Sequence, residues 1–367
     1  LLSDFLTQGP MVPRFEAAVA SYCGVKHAVA VNSATSALHT ACLTLDVGPG
    51  EWVWTSSITF VASSNCALYC GAKVDFIDID PHTYNMSVEC LTEKLAVAEA
   101  KGILPKVVIP VHLCGQSCDM AAIHALAKEY GFRIIEDASH ALGGQYKDEP
   151  VGSCRYSDIT VFSFHPVKII TTGEGGMALT NDSKLANRLQ RYRSHGITRD
   201  SAEMQMRPVD EIWNYQQISL GFNYRMSDIQ AALGLSQMTR LDGFVDKRHR
   251  IAARYDAAFT ALPVNTPWQH PKGYSSYHLY PIRIKRDENN KTQRRVYDAF
   301  WDADIKVNQH YIPVYRQPYY EAMGFRSGHC SEAERYHKEA ISLPMYPLLT
   351  EQQQNHVIET LTNVFAA

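Results

Sequence analysis

Short apolar runs alternate with helix-period stretches along the first half of the chain. In "MVPRFEAAVASYCG" the apolar positions Val12, Phe15, Val19 and Tyr22 recur at the helical spacing, and Gly24 stops the pattern. Beyond it, the runs "HAVAVNS", "EWVWTSSI", "KVDFIDID" and "KVVIPVHL" read as strands. They interleave with the helical patterns "ATSALHTACLTL", "FVASSNCALYCGA", "SVECLTEKLAVAEA" and "MAAIHALAKEYG", and Asp119 stands at the cap position of the last. "FRIIED", "DITVFSF" and "GGMALT" complete the set of strands. This alternation, from about residue 28 to 190, predicts an α/β unit with a mainly parallel sheet covered on both faces. "GGMALT" follows "DITVFSF" too closely for a crossover helix, so one strand is predicted to run antiparallel.

A long helical stretch, "SDIQAALGLSQMTRLDGFVDKRHRIAARYDAAFTAL", then leaves this unit. After the turn-rich "LPVNTPWQHPKGY" the pattern changes to strands "HLYPIRI" and "IKVNQHYI" around a helix "TQRRVYDAFWDAD". We therefore expect a large domain over residues 1–244 and a smaller α+β domain over 245–367.

The 367-residue length fits two domains, and 46% hydrophobic with 20% charged residues is ordinary for a globular chain. A formal net charge of −3 suggests neither a nucleic-acid nor a membrane partner. No apolar run reaches the roughly 20 residues that span a bilayer. The chain opens on Leu1 rather than methionine, which leaves a removed targeting segment open. Nine scattered cysteines suit reduced thiols in a cytoplasmic protein better than a disulfide framework. His112, Cys114 and Cys118 in "HLCGQSC" raise a metal site, but no second ligand pair stands at a zinc spacing, and no metal is expected.

Three stretches carry candidate chemistry, each at the C-terminal end of a strand, the edge where open α/β sheets bind ligands. In "NSATSA" a strand gives way to a helix, and the free N–H groups of such a start hold anions; the plain alternative is an N-cap by Ser33 or Thr35. In "IIEDASHALGG" Asp137 ends an apolar strand, so its carboxylate needs a partner: a cation, a protonated ring nitrogen or backbone amides. His140 lies three residues further on and either faces the same pocket or fills the core. In "FSFHPVKIITTGEGG" Lys168 follows an apolar strand and a stiffening Pro166, and the glycines let the backbone pass close to a ligand. Desolvation there would lower the amine's pKa and free a nucleophilic lone pair. Ser163 offers a hydroxyl to a phosphate, and Phe60 an aromatic face just after a strand. In this order along the chain, these are the parts of a pyridoxal 5′-phosphate (PLP) site: a lysine bonded to the aldehyde, an aspartate on the ring nitrogen, a stacking ring and a phosphate cradle.

With "GPMVPRFE", "HAVAVNSATSALH", "TFVASSN", "IDIDPHTYN", "IPVHLCGQSCDM", "RSHGI" and "GFNYRMSDIQAALG", these residues resemble the DegT/DnrJ/EryC1/StrS group of sugar aminotransferases over nearly the whole chain. The resemblance implies the PLP-dependent transferase fold type I. It also implies Lys168 as the cofactor lysine, Asp137 on the pyridine nitrogen, and His140 beside the cofactor hydroxyl, where many relatives carry glutamine. Phe60 would stack on the ring, and Ala34, Thr35 and Ser163 would hold the phosphate. Asn223 would reach the phosphate of a neighbouring subunit's cofactor, which implies a homodimer with shared sites. His310, in "NQHYIP", and Arg225 are the substrate-contact candidates. Position 34 is alanine where many relatives have glycine, but its backbone amide remains.

Within the group the chain is most similar to members that aminate carbon 4 of a UDP-linked 4-keto-6-deoxy-L-AltNAc sugar for pseudaminic acid. The carrying residues are "SDFLTQGP", "NSATSAL", "SSYHLYPI", "NQHYIPVYRQPYY" and "AISLP". L-Glutamate would be the amino donor and 2-oxoglutarate the by-product. The rivals are amination of a perosamine- or bacillosamine-type sugar, a PLP-dependent sugar dehydratase, and a non-catalytic PLP-binding regulator. Some dehydratases of the group carry histidine in place of the lysine, so Lys168 speaks against that chemistry. The segment 198–213 is read as either a lid near the sugar or a surface loop.

Overall fold

The computed structural model describes residues 4–206, 211, 213–285 and 291–366. A seven-stranded sheet lies at its centre. In chain order its strands are β1 (His27–Val31), β2 (Trp52–Ser56), β3 (Lys73–Ile77), β4 (Val107–Ile109), β5 (Arg133–Asp137), β6 (Ile159–Ser163) and β7 (Gly176–Thr180). The spatial order is β1-β7-β6-β5-β4-β2-β3. Neighbours from β3 through β6 pair in parallel, and β7 runs antiparallel to both β6 and β1. The expected antiparallel strand is "GGMALT", and the chain is of the α/β class.

Helices cover both faces because each carries an apolar stripe or is apolar all round. Helix α1 (Met11–Cys23) buries Val12, Phe15 and Val19 and ends at Gly24 in the left-handed conformation. Helix α2 (Ala34–Thr44) is buried along most of its length, while α3 (Ala62–Tyr69) packs beside it. Asp119 caps α4 (Met120–Tyr130) by accepting from the Ala122 amide, as its place in the sequence predicts.

Two readings of the pattern meet a different outcome. The long helix predicted after Ser227 is two helices, α5 (Asp228–Met238) and α6 (Leu241–Phe259). The Arg240 amide bonds the Gln237 carbonyl at 3.0 Å, a three-residue step that ends the regular helix. Helix α6 begins against the large core through Leu241 and Val245 and ends in a separate core through Ile251, Tyr255 and Phe259. Our proposed division at 244/245 falls within it. The predicted strand "IKVNQHYI" is held by a single bridge, Asn308 to Ser342. The small sheet is instead built from Val264–Asn265, Tyr280–Ile284 and Ala340–Leu343.

Part of the C-terminal chain returns to the large sheet. Tyr315, Tyr320 and Tyr336 are buried in the same core as Phe76, with the Phe76 and Tyr320 rings 5.5 Å apart. The Val314 amide bonds Ser57 O at 3.0 Å, and Tyr336 Oη bonds His310 O at 2.9 Å. These contacts hold residues 310–314 against the C-terminal edge of the sheet. Among the described residues no helix is long and apolar enough to cross a membrane.

Candidate active site

Asp137 is the last residue of β5, and its carboxylate is 5% exposed. One oxygen accepts from Ser63 Oγ at 2.6 Å; the other accepts from Ser139 N at 3.1 Å and Ser139 Oγ at 2.5 Å. Ser63 lies on α3 one turn after Phe60, whose carbonyl its hydroxyl also meets at 3.3 Å. The loop that displays Phe60 is thereby tied to the aspartate. Phe60 itself is 58% exposed, a free aromatic face beside a buried carboxylate.

Lys168 is half-buried beyond β6. Burial is the main influence on its amine and lowers its pKa to about 8, against a smaller upward pull from Asp137. The free base of this amine therefore grows in as pH rises through about 8, where a solvated lysine would need about 10.4. In the cofactor-free protein an amine-directed reagent is expected to modify Lys168 with a midpoint near pH 8, read by peptide mass mapping. A midpoint above pH 10 contradicts the burial.

The anion cradle is built from three elements. Ser33, not Thr35, caps α2, accepting from the Ser36 amide at 3.1 Å, and Ala34 and Thr35 form the first turn. Gly176 pairs with Val31 of β1 on one side and Ser163 of β6 on the other. A Cβ on Gly176 would lie 2.4 Å from Ala34 N and from Ser33 C. Gly176 is thus glycine because the helix start presses on it; Gly173, with φ +80, is the one in this loop that needs the left-handed region. Gly176→Ala is expected to push the first turn of α2 aside. It should cost about 1–3 kcal/mol of stability in denaturant unfolding and weaken cofactor retention.

The remaining expected residues separate into two groups. His140 is buried beside the amine; its Nδ1 accepts the Cys114 N–H at 3.3 Å. Burial, then the Lys168 and His310 charges, hold it well below the usual histidine range. His310 is half-buried, bonded through Nδ1 to Ser342 Oγ at 2.9 Å and lowered to about 4 by burial and by Lys168. Asn223 is exposed and Arg225 half-buried on the segment before α5. Neither hydrogen-bonds the Lys168 group among the described residues. The neighbouring Tyr224 carbonyl accepts from Asn32 N at 2.8 Å, which sets this segment beside the start of α2.

His112 and Cys118 have other work. The Cys118 amide donates to His112 Nδ1 at 3.2 Å and the ring meets Glu136 Oε2 through Nε2 at 2.7 Å, so both nitrogens are engaged. Cys118 Sγ donates to Val111 O at 3.2 Å. Ser63, Ser139, Tyr311 and His278 went unnoticed in the sequence. Ser139 carries a local signal, two residues past the aspartate, while the others arrive from distant segments. Of the segment 198–213, residues 207–210 and 212 lie outside the described residues; Gln205 and Gln216 are cross-bonded through N–H···Oε1 at 2.7 Å and Nε2–H···O at 2.9 Å.

A buried carboxylate held by hydroxyls, a desolvated amine, an open aromatic face and a helix start with free amides fit the ring nitrogen, aldehyde, ring face and phosphate of PLP. Residues 1–362 match the DegT/DnrJ/EryC1/StrS aminotransferase family, and the chain belongs to it. It is a PLP-dependent sugar aminotransferase. It is similar to the spore coat polysaccharide biosynthesis protein SpsC of Bacillus subtilis, 38% identical over 99% of this chain and 92% of that one. It is also similar to the UDP-4-amino-4,6-dideoxy-N-acetyl-beta-L-altrosamine transaminase of Campylobacter jejuni, 37% identical over 99% and 92%. The GDP-perosamine synthase of Caulobacter vibrioides is 35% identical over 97% and 90%. Among solved structures, PseC of Helicobacter pylori, described as an aminotransferase involved in the biosynthesis of pseudoaminic acid, aligns with TM-score 0.88 and 31% identity over 99% and 93%. Spr1654 of Streptococcus pneumoniae in its PLP form aligns with TM-score 0.88 and 28% identity over 100% and 93%.

Proposed function

We propose that this enzyme moves the amino group of L-glutamate to carbon 4 of a UDP-linked 4-keto-6-deoxy-L-AltNAc-type sugar. The products are the UDP-4-amino-4,6-dideoxy sugar and 2-oxoglutarate, on the route to pseudaminic acid. The carrying observation is the half-buried Lys168 amine set close to the buried Asp137 carboxylate. The Campylobacter jejuni and Helicobacter pylori relatives support the choice of sugar.

When bound, PLP supplies an aldehyde that takes up and releases the amino group and a ring that draws electrons from the reacting carbon. Asp137 keeps a proton on the ring nitrogen, and Ser63 and Ser139 hold its oxygens in place. Lys168 binds the aldehyde at rest. Once displaced, its Nζ takes the proton from the α-carbon of glutamate, and in the second half-reaction returns one to carbon 4 of the sugar. Ala34, Thr35 and Ser163 hold the phosphate, Phe60 covers the ring, and His140 stands beside the ring hydroxyl. His310 contacts the sugar or the donor carboxylate, with Arg225 as a second candidate. Asn223, exposed in the single chain, reaches the phosphate in a partner subunit of a homodimer. We place the enzyme in the cytoplasm, where nucleotide sugars and reduced thiols coexist.

The Caulobacter vibrioides relative favours a second reading, amination of a perosamine-type GDP sugar. Incubation with ¹⁵N-glutamate and a panel of UDP-, GDP- and dTDP-linked 4-keto sugars separates the two by mass. Label is expected in the UDP sugar; label confined to a GDP or dTDP sugar replaces the proposal. A sugar that loses a hydroxyl and gains no nitrogen marks a dehydratase. A yellow protein that glutamate cannot bleach marks a regulator.

A further inference from the structure

Tyr311 stands between two residues of the site. Its hydroxyl is 3.4 Å from His140 Nε2, its ring lies parallel to that of His140 at 26° and 6.3 Å, and its ring is 6.4 Å from that of Phe60. The direction of the hydrogen bonds follows from the far end of the imidazole. The Cys114 backbone N–H occupies the lone pair of His140 Nδ1, so a neutral ring carries its hydrogen on Nε2. Nε2–H then donates to the Tyr311 oxygen, and the tyrosine's own hydrogen is left to point elsewhere. We propose that Tyr311 donates this hydrogen to the electron-rich ring oxygen of the cofactor held at Lys168, as the last member of a relay Cys114 N–H → His140 → Tyr311.

The fold braces each member of this relay. Ser276 Oγ bonds the His140 carbonyl at 2.7 Å, and the Leu279 amide bonds the Cys114 carbonyl at 3.3 Å. Between them the His278 ring packs on His140 at 4.3 Å. Arg248, 3% exposed, donates to the carbonyls of Tyr277, His278 and Met345 at 3.0, 3.2 and 2.8 Å. The "SSYHLYPI" segment is thus a clamp on the histidine, holding its backbone through Ser276 and its ring through His278. Burial, with Cys114 and Asp137 nearby, pushes the Tyr311 phenol upward, so it keeps the hydrogen it donates. Lys168 and Asp137 from the sheet edge, Cys114 from its loop, and His278, His310, Tyr336 and His337 from the C-terminal part are the titratable groups facing this pair among the described residues.

A donor on that oxygen stabilises the deprotonated chromophore and lowers the pH at which the bound cofactor changes colour. In absorbance titrations of the holoprotein, Tyr311→Phe is expected to raise the midpoint by about one pH unit, a tenfold change in proton affinity. 3-Fluorotyrosine at 311, a stronger donor of the same shape, is expected to lower it. His140→Ala is expected to raise it as well, and the double change to add less than the sum, because the two act in series. His140→Gln, which restores an N–H donor, should return most of the shift. An unmoved midpoint in both Tyr311 variants, or strictly additive shifts, overturns the relay. A rise in sugar KM alone overturns it too and places the hydroxyl on the sugar. The inference rests on Lys168 being the cofactor lysine: cofactor found on another residue defeats that reading, whereas a fixed midpoint with cofactor on Lys168 defeats only this one.

Discussion

Lys168→Ala is expected to lower amino transfer by at least about 10⁴-fold, the upper range for loss of a positioned general base, with the covalent anchor lost as well. The amine is half-buried and its pKa is near 8, so at pH 7 about a tenth is free base once displaced, against less than about a thousandth for a solvated lysine. The two histidines beside it are too weakly basic to take over. His140 and His310 are both held low by burial, and each is tied by a hydrogen bond at Nδ1. Stopped-flow absorbance with glutamate alone, then with the keto sugar, reads the two halves separately. Both are expected to fail in the variant, because the same Nζ moves the proton in each. A variant that retains one half-reaction at near wild-type rate would assign that proton to another residue.

Asp137→Asn is expected to leave cofactor bound and the fold intact while lowering kcat/KM by about 10³-fold. A carboxylate about 4 Å from a protonated ring nitrogen, at an effective dielectric near 20, contributes roughly 4 kcal/mol, close to three decades of rate. The asparagine keeps the shape and one acceptor oxygen, so either Ser63 or Ser139 retains its partner. Absorbance of bound cofactor reports occupancy, and single-turnover rates with glutamate report the chemistry. Loss of occupancy with unchanged turnover of the bound fraction would make Asp137 a structural group instead.

The alternation of strands and helices from β1 to β6 was readable because a parallel sheet buries both faces and leaves near-continuous apolar runs. The short link before "GGMALT" gave away the reversed strand. The break at Thr239–Arg240 was hidden because both flanking segments keep the helical period. The single bridge at Asn308 was hidden because Ile305 and Val307 are buried whether or not they pair along a sheet. Within the site, Asp137 and Lys168 were legible from their place at the ends of apolar strands. The residues that support them were not. Ser63, Tyr311 and His278 come from α3 and the C-terminal part, and only the folded chain brings them to β5. The glycine run was read for the room it leaves a ligand; at Gly176 the neighbour the structure shows is the start of α2, so the restriction there comes from protein backbone.

One experiment bears on the whole account most directly. Holoprotein is reduced with borohydride, which fixes the cofactor to its lysine, and the digest is mapped by mass spectrometry. The account predicts the pyridoxyl phosphate adduct on the peptide that contains Lys168 and on no other. An adduct on a different lysine, or a coloured protein that yields none, would contradict it.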